Sequence, residues 1–233
     1  MQHNKMQNNK LRHELKHFIN LTDYFALRAR LRAIANYDGH AGVDGKYKVR
    51  SLYFDNLEDQ VLMEKLDGVN NREKLRIRYY NNDTSYIKLE KKSKSNGLCN
   101  KQLIVLSKEQ CELIIHGDIH WLRESGEPLL LDLFIKMNYL QLRPKTVVDY
   151  QREAFVYRPG NVRITIDSDL KTGLFSKDIF NMSLPTISTV KPGTAILEVK
   201  YDEFLPDIIS DIIQIPNRRQ SAFSKYAASR IYS

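Results

Sequence analysis

Between Arg72 and Lys94 the sequence alternates apolar and charged residues on both sides of a short polar stretch. Because successive side chains of a β-strand point to opposite faces, this alternation predicts a hairpin with one apolar face and one charged face. A loop over residues 81–85 places Tyr80 opposite Tyr86 and sets the rest of the register in two-residue steps. The predicted cross-strand pairs are Arg78 with Lys88, Arg76 with Glu90, Lys74 with Lys92, Tyr79 with Ile87, and Ile77 with Leu89.

The charged face of this hairpin places like charges directly opposite each other, which destabilises a sheet. Arg78 and Lys88 form one such pair, and Lys74 and Lys92 form another. An anion held between the strands would remove the repulsion. The pattern therefore predicts a hairpin whose charged face binds an anionic ligand.

Other predicted strands repeat the two-faced pattern, and two arrangements of the sheet explain it. One is an open sheet whose apolar face covers helices and whose charged face meets water. The other is a closed antiparallel barrel with a polar interior, in which about eight strands leave room for one slim ligand. The charged sides of these strands carry Glu14 and Lys16, Tyr150 and Arg152, Arg163, Thr165 and Asp167, and Glu198 and Lys200.

Local signals place helices between the strands. Thr22 or Asp23 is a candidate cap for a helix over residues 21–36, and Asn56 for a short helix that follows it. Ser107 and Gln110 have the spacing of a capping box for a helix over residues 108–116. Hairpin connections favour an antiparallel α+β fold over parallel crossover units.

Charge and composition restrict the class of partner. The net charge of +8 favours a polyanion, and the chain contains no Walker A loop and no GxGxxG motif. Carboxylates lie among the basic residues and the aromatic residues are scattered, so we expect no nucleic-acid partner. Two cysteines, the absence of a secretory signal and the lack of a long apolar run indicate a soluble cytoplasmic protein.

Eight short motifs, taken in chain order, resemble the VTC domain (vacuolar transporter chaperone) family of polyphosphate polymerases, within the triphosphate tunnel metalloenzymes. The resemblance spans residues of about 11–230. It implies a closed eight-stranded antiparallel β-barrel, or tunnel, with helices packed outside, in a single domain over residues 11–233. Residues 1–10 are polar, which predicts a flexible N-terminus. The motifs are ELK, RSLYFD, KLRIRYY, IKLEKKSK, YQREAF, RITID, LEVKYD and FSKY.

The resemblance also implies an activity and a site. The implied enzyme transfers the terminal phosphate of ATP to a growing polyphosphate chain with Mn²⁺ or Mg²⁺ as cofactor. Its catalytic residues would be Arg76, Arg78, Lys200 and Lys225. Its phosphate-binding residues would be Lys16, Lys88, Arg152, Arg163 and Ser224. Its metal ligands would be Glu198, with Glu14 and Glu90 as further carboxylates.

Two other functions compete with polymerase activity. A triphosphatase with the same tunnel would release orthophosphate and make no chains, and a binding module would hold polyphosphate without turnover. We expect no transmembrane helix in this chain, so delivery of product across a membrane would need a membrane-protein partner, at the inner face of that membrane. The direction of turnover, the preferred base, the metal and the oligomeric state stay open.

Overall fold

The computed structural model describes residues 12–39, 41–42, 44–95, 98–215 and 220–231, so the predicted flexible stretch 1–10 lies outside the described residues. The strands are β1 (His13–Ile19), β2 (Asn36–Tyr37), β3 (Lys46–Asp55), β4 (Arg72–Tyr80), β5 (Asp83–Ser95), β6 (Leu98–Leu106), β7 (Arg143–Tyr157), β8 (Val162–Thr172), β9 (Ile187–Ser188) and β10 (Ala195–Tyr201). The helices are α1 (Leu21–Ile34), α2 (Gln60–Leu66), α3 (Lys108–His116), α4 (His120–Glu124), α5 (Pro128–Tyr139), α6 (Asp207–Ile213) and α7 (Lys225–Ser229).

One antiparallel sheet contains all ten strands. Its eight long strands are ordered β1-β10-β8-β7-β3-β4-β5-β6, while β2 pairs with β7 and β9 pairs with β8. The α+β class and the count of eight long strands agree with the prediction. β7 pairs with both β3 and β8, and these strands lie in the middle of the strand order.

The predicted closure of the barrel is wrong. β1 and β6 are the two ends of the strand order, and no ladder joins them within the described residues. A side-chain ion pair links β1 to β5, the strand next to β6, because Lys92 on β5 lies 3.2 Å from Glu14 on β1. The sheet is therefore curled into an open half-barrel rather than a closed tunnel.

The β4–β5 hairpin has the predicted register along most of its length. Arg78 lies opposite Lys88, and the pairs Arg76–Glu90, Lys74–Lys92 and Ile77–Leu89 are also present. The turn differs from the prediction, because Tyr80 lies opposite Asp83 after a bulge. Only Asn81 and Asn82 form the connection, and both have positive φ, as a two-residue hairpin turn of the primed type requires.

Helices cover the convex side of the sheet in two apolar clusters. Ile77, Leu89 and Val147 pack against α3, α4 and α5 in one cluster. Leu197 and Ile164 pack against α1 and α6 in the other. The apolar faces predicted for these strands therefore point outwards, which leaves their charged faces on the concave side.

Caps fix where two of these helices begin. Asn20, not Thr22 or Asp23, caps α1, and Asp23 completes its capping box. Ser107 and Gln110 form the predicted capping box of α3, with Ser107 Oγ accepting from the Gln110 N–H at 3.1 Å. Asn56 accepts from the Gln60 N–H at 2.9 Å, although α2 begins later than predicted.

No helix in the described part of the chain has the length and apolar character needed to cross a bilayer.

The short helix α7 packs on the concave side of the sheet. The rings of Tyr226 and Tyr53 stack with centroids 5.3 Å apart, and Tyr226 donates to Asp55 at 2.5 Å. Tyr150 and Val148 belong to the same apolar cluster. These contacts fill part of the concavity and leave the remainder as a polar cavity.

Candidate functional site

A cavity of about 820 Å³ occupies the concave side of the sheet. All eight long strands contribute to its wall, together with α2 and the segment 220–225 that leads into α7. Three glutamates line it, namely Glu14, Glu90 and Glu198. The lysine and arginine residues in its wall are Arg12, Lys16, Lys65, Arg72, Lys74, Arg76, Arg78, Lys92, Lys94, Lys101, Arg152, Arg163, Lys200 and Lys225.

Tyr150 is the point at which three predicted ligand-binding cations meet. The guanidinium groups of Arg78 and Arg152 lie 5.9 Å and 5.3 Å from the centre of its ring, and the Lys225 Nζ lies 4.9 Å away. Arg78 also donates to the Tyr150 hydroxyl at 2.9 Å. Three like charges around one ring form a ready site for a polyanion, because guanidinium groups bind oxyanions in a fork and an ammonium adds a point charge.

Glu90 is enclosed by cations on the β4–β5–β6 side of the cavity. Arg76 donates to it at 2.7 Å, and Lys101 lies 2.6 Å away. Burial raises the pKa of Glu90, but the charges of Arg76 and Arg78 outweigh burial and hold that pKa well below its ordinary value. Glu90 therefore acts as an internal counter-ion that keeps the two arginines in place.

Glu14 and Glu198 lie on the neighbouring strands β1 and β10. The register pairs Glu14 with Lys200 and Lys16 with Glu198, so the two carboxylates are diagonal neighbours. Lys200 lies 2.5 Å from Glu198 and 3.4 Å from Glu14. Burial raises the pKa of Glu198, but Lys200 and Lys16 lower it by more, and the pKa of Glu14 is lowered too. Both carboxylates are therefore ionised at neutral pH.

No group of three or more His, Cys, Asp or Glu side chains that could hold a metal ion occurs in the described residues. Mg²⁺ and similar ions often use only one or two protein carboxylates and complete their shell with phosphate and water. The adjacent, ionised pair Glu14 and Glu198 fits that requirement. Glu90 is engaged by a different set of cations and does not complete such a group.

Asp167, which the sequence placed only on the charged side of its strand, anchors two cations of the site. Its side chain is fully buried, and Arg152 binds it in a fork at 2.6 Å and 2.8 Å. Lys225 lies 2.6 Å from the same carboxylate. Burial raises the pKa of Asp167, but Arg152 and Lys225 reverse the effect and lower it to about 2. Asp167 thus orients two cations that point into the cavity.

The other predicted phosphate-binding residues differ in whether they line the cavity and in which side chains they contact. Arg163 is in the wall of the cavity but is paired with Asp38 at 2.8 Å. Ser224 caps α7 and accepts from the Lys74 Nζ at 2.9 Å. Lys88 is not in the wall of the cavity, since its Nζ lies over the rings of Tyr86 and Tyr80 at 4.6 Å and 5.2 Å.

Several cations of the cavity were missed from the sequence, Lys101 and Lys65 among them. Lys101 on β6 lies opposite Lys92 in the β5–β6 ladder, so extending the hairpin register by one strand would have found it. Lys65 on α2 had no such signal, because only the packing of that helix brings it to the cavity. The same holds for the pairing of Lys225 with Asp167.

Comparison with known proteins gives one family and several distant structures. The family model described as VTC domain matches residues 11–232. No curated protein matches the chain. A putative adenylate cyclase from Bacillus halodurans aligns with a TM-score of 0.47 and 15% identity over 83% of this chain and 82% of that one.

Two further structures are similarly distant. A putative adenylate cyclase from Vibrio parahaemolyticus has a TM-score of 0.45 and 10% identity, covering 88% of this chain and 83% of that one. The PH1819 protein from Pyrococcus horikoshii has a TM-score of 0.41 and 13% identity, covering 86% and 84%.

Proposed function

The chain belongs to the VTC domain family, and from this premise we propose that it is a metal-dependent polyphosphate polymerase that uses ATP. The observation that carries the proposal is the composition of the cavity wall, in which three glutamates lie among many more lysines and arginines. A linear polyanion suits such a wall because successive charged groups can contact successive cations. ATP and polyphosphate are the partners that the proposal requires.

The proposed reaction needs little covalent chemistry from the protein. An oxygen of the terminal phosphate of the chain attacks the γ-phosphorus of ATP, a new P–O bond forms, and the P–O bond to ADP breaks. The attacking oxygen belongs to the substrate, so no side chain has to act as nucleophile. Positioning and neutralisation of charge are then the main contributions of the enzyme.

The cations around Tyr150 are placed for that task. Arg78, Arg152 and Lys225 converge there, and Asp167 keeps two of them in fixed orientation. Such preorganised cations stabilise charge on the transferred phosphoryl group without having to reorganise during the reaction. Arg76, with Glu90 as its counter-ion, extends the same set along β4.

On β1 and β10, Lys16 and Lys200 would bind the neighbouring phosphates. Glu14 and Glu198 are the residues that would hold a divalent cation. When bound, such a cation neutralises phosphate charge and acts as a Lewis acid. The ionised state and adjacent positions of Glu14 and Glu198 support this assignment.

The direct test is incubation of the protein with ATP and Mn²⁺, with chain length read on a gel. We expect long chains that an exopolyphosphatase digests. Release of orthophosphate without chains would replace the proposal with a triphosphatase in the same cavity. Binding without any turnover would replace it with a binding module.

A substitution tests the assignment of the carboxylate. Glu198→Gln keeps the size of the side chain and removes its charge, so we expect chain formation to fall by about 100-fold, the order found when one transition-state contact is lost. Glu112→Gln is the matched control, because Glu112 lies on α3 at 45% exposure and pairs with Lys108. Equal rates for the two folded variants would contradict the role of Glu198.

A further inference from the structure

One end of the cavity contains cations for which the described part of the chain supplies no carboxylate partner. We call Lys65, Arg72, Lys74 and Lys94 the lysine end. Within the described residues, none of the four forms an ion pair with a carboxylate, unlike Arg76 and Arg152. Repulsion between these neighbouring positive charges lowers the free energy of unfolding of the protein.

Lys74 is the most crowded member of the lysine end. Its Nζ donates to Ser224 Oγ at 2.9 Å, and this oxygen is polar but uncharged. Arg72 on the same strand, Lys92 on β5, Lys65 on α2 and Lys16 on β1 all face it. Lys16 and Lys92 both point at Glu14, at 3.3 Å and 3.2 Å, so that carboxylate is already shared.

These surroundings favour the neutral amine when the cavity is empty. Burial and the neighbouring charges of Lys16 and Lys65 lower the pKa of Lys74 to about 7. An anion placed among these cations would reverse the Coulomb effect and favour the protonated amine. Lys74 is therefore placed to change its charge when the cavity is filled.

We call Arg78, Arg152 and Lys225 the Tyr150 cluster. The lysine end lies on the same wall of the cavity as this cluster. Arg78 contacts Tyr150, and Lys74 lies four residues away on the same face of β4, which is about 13 Å at roughly 3.3 Å per residue. Arg76 lies between them. A phosphate chain that extends along β4 from the Tyr150 cluster would meet Arg76 and then Lys74.

We propose that the lysine end is an anion subsite for a segment of the phosphate chain remote from the Tyr150 cluster, and that filling it is coupled to uptake of a proton by Lys74. The inference rests on the proposed function only in that phosphate chains enter the cavity. The proton comes from solvent and converts the neutral amine to an ammonium ion, which then balances one charge of the chain. No bond of the chain is made or broken.

The affinity for the phosphate chain should fall as the pH rises above about 7. Below about pH 7 Lys74 is already protonated and binding needs no proton. Above that pH each bound chain must bring a proton onto Lys74, so the affinity falls by up to about tenfold per pH unit until the raised pKa of the complex is reached. The group therefore makes the affinity for the chain sensitive to pH near neutrality.

Calorimetry of binding tests the coupling without turnover. Long-chain polyphosphate is titrated into the protein at pH 7.5, without ATP or metal, in two buffers of different ionisation enthalpy. With a pKa of about 7, wild type should take up roughly three-quarters of a proton more per bound chain than Lys74→Arg. Protons exchanged by the ends of the chain are the same for both proteins and disappear from the difference.

Lys108→Arg is the matched control, because Lys108 lies outside the cavity at the start of α3 and is 45% exposed. It should take up as many protons as wild type. Equal uptake by wild type and Lys74→Arg would overturn the inference, and so would the absence of polyphosphate binding. Orthophosphate and sulfate, titrated in the same way, show whether the uptake needs a chain or only a small anion.

A measurement on the wild-type protein keeps the test valid if Lys74→Arg does not fold. The Cε resonance of Lys74, followed by NMR, should titrate near pH 7 in the empty protein and lose that titration when polyphosphate is bound. A titration near pH 7 that polyphosphate leaves unchanged would also overturn the inference. Proton uptake in a protein that makes no chains would separate this inference from polymerase activity, which would then be the proposal that fails.

Discussion

At the scale of single residues, buried carboxylates decide which cations keep a fixed position. Asp167 holds Arg152 and Lys225, while Glu90 holds Arg76 and Lys101. Asp167 contacts two cations, and Glu90 contacts Arg78 at 3.7 Å as a third, so the cavity keeps an excess of positive charge after its internal pairs are formed. That excess is the part of the charge available to a ligand.

Removal of the Asp167 charge tests this arrangement. Asp167→Asn leaves Arg152 and Lys225 without their shared counter-ion, and breaking a buried pair in this way lowers the free energy of unfolding by about 3 to 5 kcal/mol. Chemical denaturation at neutral pH measures the change. Asp169→Asn is the control, because Asp169 is more than half exposed and pairs with Lys171 at the surface. Similar losses for the two variants would contradict a structural role for Asp167.

Acid should weaken the same contact in the wild type. The pKa of Asp167 is lowered from 3.8 to about 2, so its contribution is complete above pH 3.8 and is lost as the pH falls towards 2. The contribution is about 2 to 3 kcal/mol, at roughly 1.4 kcal/mol per pKa unit. The Asn variant lacks this loss, so its stability should depend less on pH in that range.

At the scale of elements, the β4–β5 hairpin places a row of charged side chains in the wall of the cavity. Its ladder agrees with the alternation of the sequence, while its turn is tighter than the sequence indicated. Asn81 accepts from the Lys48 N–H at 2.9 Å, which ties the turn to β3. The position of Arg78 opposite Lys88 therefore depends on the sheet pattern and on this short turn together.

The turn predicts different outcomes for two substitutions at Asn82, which has a φ of 60°. Asn82→Gly should keep or raise the free energy of unfolding, because glycine adopts positive φ without strain. Asn82→Val should lower it by about 1 to 3 kcal/mol, because a β-branched residue is strained there. Thr84→Val is the control on β5, where valine suits the strand. A valine tolerated equally at both positions would show that the turn is different.

At the scale of the whole molecule, the curvature of the sheet concentrates its charged face in one cavity. The net charge of +8 is not large, but among the described residues fourteen lysines and arginines and three glutamates line about 820 Å³. A concave wall focuses the potential of these charges on its interior. Anions that enter should therefore stabilise the folded protein.

Polyphosphate should raise the melting temperature of the protein, since a ligand that binds only the folded state stabilises it. The increase should shrink as salt rises from about 0.1 M to 1 M, because the Debye length falls from about 10 Å to about 3 Å. Orthophosphate at the same concentration of phosphate units is the control and should act more weakly. A salt-independent shift would argue against binding through the charges of the cavity.

The sequence by itself determined what local periodicity encodes. It predicted which residues share a strand face, the pairing of Arg76 with Glu90, the α+β class and the capping box at Ser107. These features depend on residues close in the chain, whose relative positions follow from the two-residue repeat of a strand or the first turn of a helix. They hold in any arrangement of the complete sheet.

Only the tertiary structure decided what the charged faces enclose. It showed that β1 and β6 are ends not joined by a ladder, that Lys88 lies outside the wall of the cavity, and that Lys225 reaches Asp167. Curvature, and contacts between residues far apart in the chain, arise from how whole elements pack together. No local pattern contains that information, because the same alternation is compatible with an open sheet, a closed barrel and the half-barrel that forms.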